Sequence, residues 1–139
     1  MLFGRLNHVG IAVPSMEEAQ ERYRALFGAG AVGEPVDLPA HGVTACFVST
    51  GNSEIELIAP LGEASPLAAF LEKSPAGAQH HLCFEVADLP AALRALKAEG
   101  RRVLGEPRIG AHGTLVAFLH PKDMGGILTE IMEAPHAGH

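Results

Sequence analysis

The chain carries one pattern twice, and this repetition limits its folds more than any other feature. His8-Val-Gly-Ile-Ala-Val13 runs into Pro14-Ser-Met-Glu-Glu18, and His81-Leu-Cys-Phe-Glu-Val86 runs into Ala87-Asp-Leu-Pro90. Each is a histidine opening a strand of alternating residues, followed by the start of a helix. The histidines are 73 positions apart (81 − 8). Gly42-Val-Thr-Ala-Cys-Phe47 matches Gly113-Thr-Leu-Val-Ala-Phe118 at an offset of 71, and Ile55-Glu56-Leu57 matches Thr129-Glu130-Ile131 at 74. Three matches at nearly one spacing describe a duplicated strand, helix and three strands.

Helix signals agree with that division. Ser15 predicts an N-cap, with Glu18 completing a capping box. Met16, Ala19, Tyr23 and Leu26 or Phe27 form the expected buried stripe, which Gly28 ends. In the second copy Asp88 caps, Leu89, Ala92, Leu93 and Leu96 face inward, and Gly100 terminates. Between the copies, Ser65-Pro66 reads as N-cap and first position of a short helix that ends before Ser74-Pro75. The expectation is one α+β domain over residues 1–139. It is built of two βαβββ repeats, about 6–60 and 79–133, joined by a linker with that helix, with four strands from each curling into an incomplete barrel-like sheet around a cleft.

Strand alternation sorts the side chains. Val9, Ile11 and Val13 share one face of the first strand, so His8 points the other way with Gly10 and Ala12. Leu82, Phe84 and Val86 are expected on the packed face of the equivalent strand, leaving His81 with Cys83 and Glu85. Glu56 and Glu130 each interrupt an apolar strand, and a lone carboxylate there is costly if buried without a partner. Singly, each histidine reads as an ordinary sheet residue and each glutamate as a solvated one. Their return at matching places in both copies points instead to a mixed nitrogen and oxygen site for a divalent metal: His8, Glu56, His81 and Glu130. His80 lies on the opposite face from His81 and reads as a packing residue, and His120, before Pro121, reads as structural. His136 and His139, in the terminal PHAGH, carry no assigned role.

Composition removes other classes. A net charge of −6 with no Lys/Arg run gives no track for nucleic acid. The N-terminal MLFGRLNHVGIAV lacks secretory-signal features and no stretch approaches the length of a membrane span, so a soluble, cytoplasmic protein without membrane contact is expected. Cys46 and Cys83, the two cysteines, sit in apolar strands and read as inert buried thiols without a disulfide framework.

With these residues in place, the chain resembles the vicinal oxygen chelate superfamily, and within it the methylmalonyl-CoA epimerase family. The resemblance rests on Leu6-Asn-His-Val-Gly-Ile-Ala-Val13, Gly51-Asn-Ser-Glu-Ile-Glu-Leu57, Pro60-Leu-Gly-Glu-Ala-Ser-Pro66, His80-His-Leu-Cys-Phe-Glu-Val86, Glu106-Pro-Arg-Ile-Gly-Ala-His-Gly113 and Phe118-Leu-His-Pro-Lys-Asp123. It implies a glyoxalase-like fold, a cobalt, manganese or zinc ion on His8, His81 and Glu130 with Glu56 as a further ligand, and interconversion of the two C2 configurations of methylmalonyl-CoA. It also implies an acyl-CoA substrate and a homodimer. Some relatives carry a glutamate acid/base where Ala45 stands here, so that residue's role does not transfer.

The implied chemistry removes the C2 proton of a malonyl thioester, placing negative charge on the thioester oxygen, and returns a proton to the opposite face. Glu130 is the first candidate base. Its partner is left among His112 in the PRIGAHG segment, His41, Glu54 and water. Arg108 and Lys122 are candidates for contacts to CoA phosphates, against the plainer reading of solvated charges. Two alternatives remain: a glyoxalase I-type lyase acting on a glutathione hemithioacetal, and a non-catalytic small-molecule-binding or resistance protein.

Overall fold

A computed structural model describes residues 1–135; His136 and His139 lie outside the described residues. The elements run β1 (Leu6–Ala12), α1 (Met16–Phe27), β2 (Val36–Leu38), β3 (Val43–Ser49), β4 (Glu54–Pro60), α2 (Pro66–Lys73), β5 (Ala78–Val86), α3 (Leu89–Ala98), β6 (Val103–Ile109), β7 (Leu115–Leu119) and β8 (Thr129–Glu133). The chain divides into two compact units, His8–His80 in one and Met1–Asn7 with the chain from His81 onward in the other.

The unit His8–His80 orders its strands β2-β3-β4-β1, with β1 parallel to β4 and the other neighbours antiparallel. Its sheet packs on α1 through Val13, Ala19, Cys46, Val48 and Leu57. On the other face Ala12, Ala45 and Ile58 meet Leu67 of α2, with Phe70 and Leu71 beside it. Ser15 caps α1 by accepting from the Glu18 N–H, and the Gly28 N–H closes the helix on the Arg24 carbonyl, with Gly28 at φ 95° where a side chain would be strained. α2 starts at Pro66 behind a Ser65 cap.

The expected stripe of α1 needs one correction. Its buried face is centred on Ala19 and Gln20, with Met16 and Tyr23 partly covered, while Leu26 is 69% and Phe27 44% exposed. The inward position is taken by an amide that finds partners: Gln20 Nε2 donates to the Gly33 carbonyl at 3.3 Å and lies 3.6 Å from Cys46 Sγ. The last turn leaves the sheet, and Phe27 stacks on Tyr23 at 6.0 Å.

The second unit repeats this plan as β5-β8-β7-β6, with β5 parallel to β8. Asp88 caps α3 through the Ala91 N–H, and Leu89, Ala92, Leu93 and Leu96 bury against Val86, Ala117, Leu119 and Ile131. On β5 the packing differs from expectation. Leu82 and Phe84 are only half-buried, whereas Cys83, on the other face, is fully buried with Val116 and Met132. The N-terminal segment explains part of this, because Phe3 stacks on Phe84 at 5.4 Å. The Gly4 N–H donates to the Glu85 carbonyl, and Asn7 Nδ2 donates to Glu85 Oε2 at 2.9 Å.

No helix among the described residues is long and apolar enough to cross a membrane.

Candidate active site

Parallel pairing sets the first site pair. Gly10 of β1 lies opposite Glu56 of β4, so His8, two residues earlier, is on the same face one step back. His8 Nε2 is 3.4 Å from Glu56 Oε1, and both side chains are buried. Phe47 of β3 is the cross-strand neighbour of Glu56 on the other side and presents its ring to His8 edge-on, centroids 5.6 Å apart at 77°.

The second unit builds the same pair. Cys83 of β5 lies opposite Glu130 of β8, and His81 is again two residues earlier. His81 Nε2 is 3.2 Å from Glu130 Oε1, with both buried. Phe118 of β7 pairs with Glu130 and meets the His81 ring at 5.7 Å and 80°. The duplication therefore preserves the imidazole, the carboxylate and the aromatic wall. Sequence reasoning missed the two phenylalanines in this role, although both close the matching segments that begin at Gly42 and Gly113.

A buried carboxylate is stable only with compensating charge or donors, and here each sits against an imidazole. Neutral imidazole nitrogen with carboxylate oxygen is a donor set for zinc, cobalt or manganese. The residues present fit a divalent cation.

The remaining candidates lie on separate segments. Glu54 begins β4, on the face of Glu56 and opposite His8, and is half-buried. His41 ends a short turn before Gly42. Ala45 is buried among apolar side chains. Arg108 is exposed on β6 opposite Val116. His112 is half-buried in the turn joining β6 to β7. Lys122 is exposed in the turn Pro121–Asp123, where its N–H donates to His120 Nδ1 at 3.1 Å. His80 packs edge-on against Phe70.

That last turn is clamped from outside the strands. Asp123 accepts from the Arg102 N–H at 2.8 Å and from its guanidinium at 3.0 and 3.1 Å. The guanidinium holds the Asp123 carboxyl down at about 2. Cys46 behaves as the inert thiol its strand implies, since burial pushes its pKa up.

Comparison with known proteins follows the same lines. The Glyoxalase/Bleomycin resistance protein/Dioxygenase superfamily profile matches residues 7–118. The chain belongs to that superfamily. Its two βαβββ modules are the glyoxalase-like fold of the superfamily. An ethylmalonyl-CoA/methylmalonyl-CoA epimerase from Cereibacter sphaeroides is 58% identical over 132 residues, 94% of this chain and 98% of that protein. The crystal structure of methylmalonyl-CoA epimerase from Mycobacterium tuberculosis superposes with a TM-score of 0.87 at 34% identity, covering 96% of this chain and 91% of that one. A methylmalonyl-CoA epimerase in complex with methylmalonyl-CoA and NH4+ gives 0.85 at 33% identity over 98% and 97%.

Proposed function

We propose that this chain epimerises methylmalonyl-CoA at C2. The observation that carries the reading is a buried His–Glu pair built identically in both units of a chain 58% identical to an epimerase over nearly its whole length.

The four buried residues His8, Glu56, His81 and Glu130 are assigned one divalent cation, with cobalt, manganese and zinc all compatible with the donors. Such a cation supplies Lewis-acid stabilisation for negative charge developing on the thioester oxygen. Glu130 is assigned as the base that accepts the C2 proton: its carboxylate is held by β8 against the His81 ring and away from bulk water, which keeps it oriented and unsolvated. His112 is assigned as the acid that delivers a proton to the opposite face of C2, closing the proton balance. Its support is chemical, an imidazole carrying ring nitrogens that can both give and take a proton. Arg108 and Lys122 are assigned to the CoA phosphates, on their exposure and positive charge.

A homodimer is the assembly that the resemblance implies. The cytoplasm is the assigned compartment, and both cysteines, Cys46 and Cys83, are buried in strands, as inert thiols are.

The test is solvent-deuterium incorporation at C2 of methylmalonyl-CoA with and without chelator, beside turnover of a glutathione hemithioacetal. Chelator-sensitive exchange is expected. Hemithioacetal turnover without exchange would overturn the epimerase reading in favour of a lyase.

A further inference from the structure

The hairpin between β6 and β7 carries a polar atom that the free protein does not satisfy. Thr114 Oγ1 is buried and has no hydrogen-bond partner among the described residues. An orphaned buried hydroxyl destabilises the protein that holds it, typically by enough to shift an equilibrium severalfold, so its presence calls for a partner.

The backbone around it leaves little freedom. The Gly110 N–H donates to the Thr114 carbonyl at 2.9 Å and the Gly113 N–H to the Gly110 carbonyl at 3.0 Å. Gly110 is pressed against Val116 so closely that an added Cβ would lie 2.8 Å from a Val116 methyl, and Gly113 has φ 78°. The threonine is held by a turn that only glycines at these two places allow.

Val116 and Phe118 share one face of β7, where Phe118 is the neighbour of Glu130, and Thr114, the residue just before the strand, continues that two-residue spacing while its carbonyl accepts from the Gly110 N–H. Thr114 is thus on the reacting face, but four residues from the Glu130 rung, about 13 Å at roughly 3.3 Å per residue. That span exceeds what atoms on C2 or the thioester carbonyl can cover. It suits the extended arm attached to the thioester sulfur, whose acceptors are amide carbonyls. Arg108, opposite Val116 at the same end of the hairpin, is exposed and positive, as the phosphate end of such an arm requires.

We infer that the Thr114 hydroxyl donates a hydrogen bond to an amide carbonyl of the pantetheine arm of the acyl-CoA. This rests on the acyl-CoA reading above and adds a specificity contact to it. The hydroxyl trades stability of the free protein for recognition of the carrier.

Thr114→Val keeps the shape and removes the donor; Thr114→Ser keeps the donor. With methylmalonyl-CoA, Thr114→Val should raise KM about fivefold, the range expected for one neutral hydrogen bond, and leave kcat unchanged. Thr114→Ser should keep the wild-type KM. With a methylmalonyl S-propyl thioester, which lacks both amides, wild type and Thr114→Val should be equal. The Tm of the free Thr114→Val protein should equal or exceed that of wild type, because no native hydrogen bond is lost. Calorimetric affinity for propionyl-CoA provides a second readout that needs no turnover. A wild type that binds propionyl-CoA but does not epimerise strikes the proposed reaction, while the Val comparison still decides the hydroxyl. Equal KM and equal propionyl-CoA affinity in wild type and Thr114→Val, or an equal loss on both thioesters, overturns the inference.

Discussion

His81 Nε2 approaches Glu130 Oε1 to 3.2 Å across a parallel strand pair, from a position two residues before the rung Glu130 shares with Cys83. The two side chains lean toward each other along the strands, so the contact depends on both registers. A one-residue slip of β8 would turn Glu130 to the opposite face and leave the imidazole against Thr129 or Ile131. A carboxylate buried in such a place needs compensating charge or donors, and the imidazole stands against it.

His81→Ala should remove metal and activity together. Loss of one imidazole ligand is expected to lower kcat/KM by about a thousandfold or more, in line with several kcal/mol of Lewis-acid stabilisation. Far-UV circular dichroism should match wild type, because the core of this unit is held by Leu89, Leu119 and Ile131 rather than by His81. Metal content by mass spectrometry is the check. Stoichiometric metal in the variant would count against the ligand assignment.

Glu130→Gln and Glu56→Gln should separate, although the two glutamates are geometric counterparts. With Glu130 as base, Glu130→Gln should cut C2 exchange by about a hundredfold or more, the contribution typical of a positioned general base. The amide in Glu56→Gln retains an oxygen donor, so metal binding should survive with activity within roughly tenfold. Exchange rates read by proton NMR decide this, and equal losses would remove the distinct role assigned to Glu130.

Stripping divalent cations should lower thermal stability. An ion held by the proposed ligands binds the folded state only, so saturating metal should add roughly 3 kcal/mol at a concentration a hundred times Kd. Scanning calorimetry with and without chelator should show a Tm several degrees lower in chelator, recovered on adding zinc, cobalt or manganese. A chelator-insensitive Tm would speak against a resident ion.

Acid should loosen the turn that leads into β8. Asp123 titrates at about 2, below the ordinary 3.8, because Arg102 hydrogen-bonds its carboxylate. A lowered folded-state value means that the carboxylate's stabilisation is present above the ordinary value and is lost as pH falls from about 4 toward 2. Arg102→Met should return the Asp123 pKa to near its ordinary value and move the onset of acid unfolding to higher pH. Carboxyl-carbon NMR titration of Asp123 reads the first effect directly. An unshifted titration in the variant would show that Arg102 is not the cause.

Much of this architecture was visible in the chain. Ser15, Asp88 and Ser65-Pro66 mark helix starts through local hydrogen bonding, which depends on residues two or three apart and needs no distant partner. The superfamily was legible because its motifs recur along nearly the whole chain. Phe47 and Phe118 were not, since a ring can be assigned to a histidine only when strand neighbours are known. The exposed end of α1 was missed because Leu26 and Phe27 continue an apolar period that the sheet beneath no longer matches, and Gln20, polar in a list of residues, is inside because Gly33 and Cys46 meet its amide.

What the amino-acid order determined by itself is the duplication and the face each histidine and glutamate occupies, because strand alternation has a period of two and needs no distant information. Tertiary structure decided how far each histidine stands from its glutamate, which ring walls it, and that the hydroxyl of the half-buried Thr114 is covered without a partner. Those outcomes depend on register between strands far apart in the chain, and register is set by packing, which no local pattern encodes.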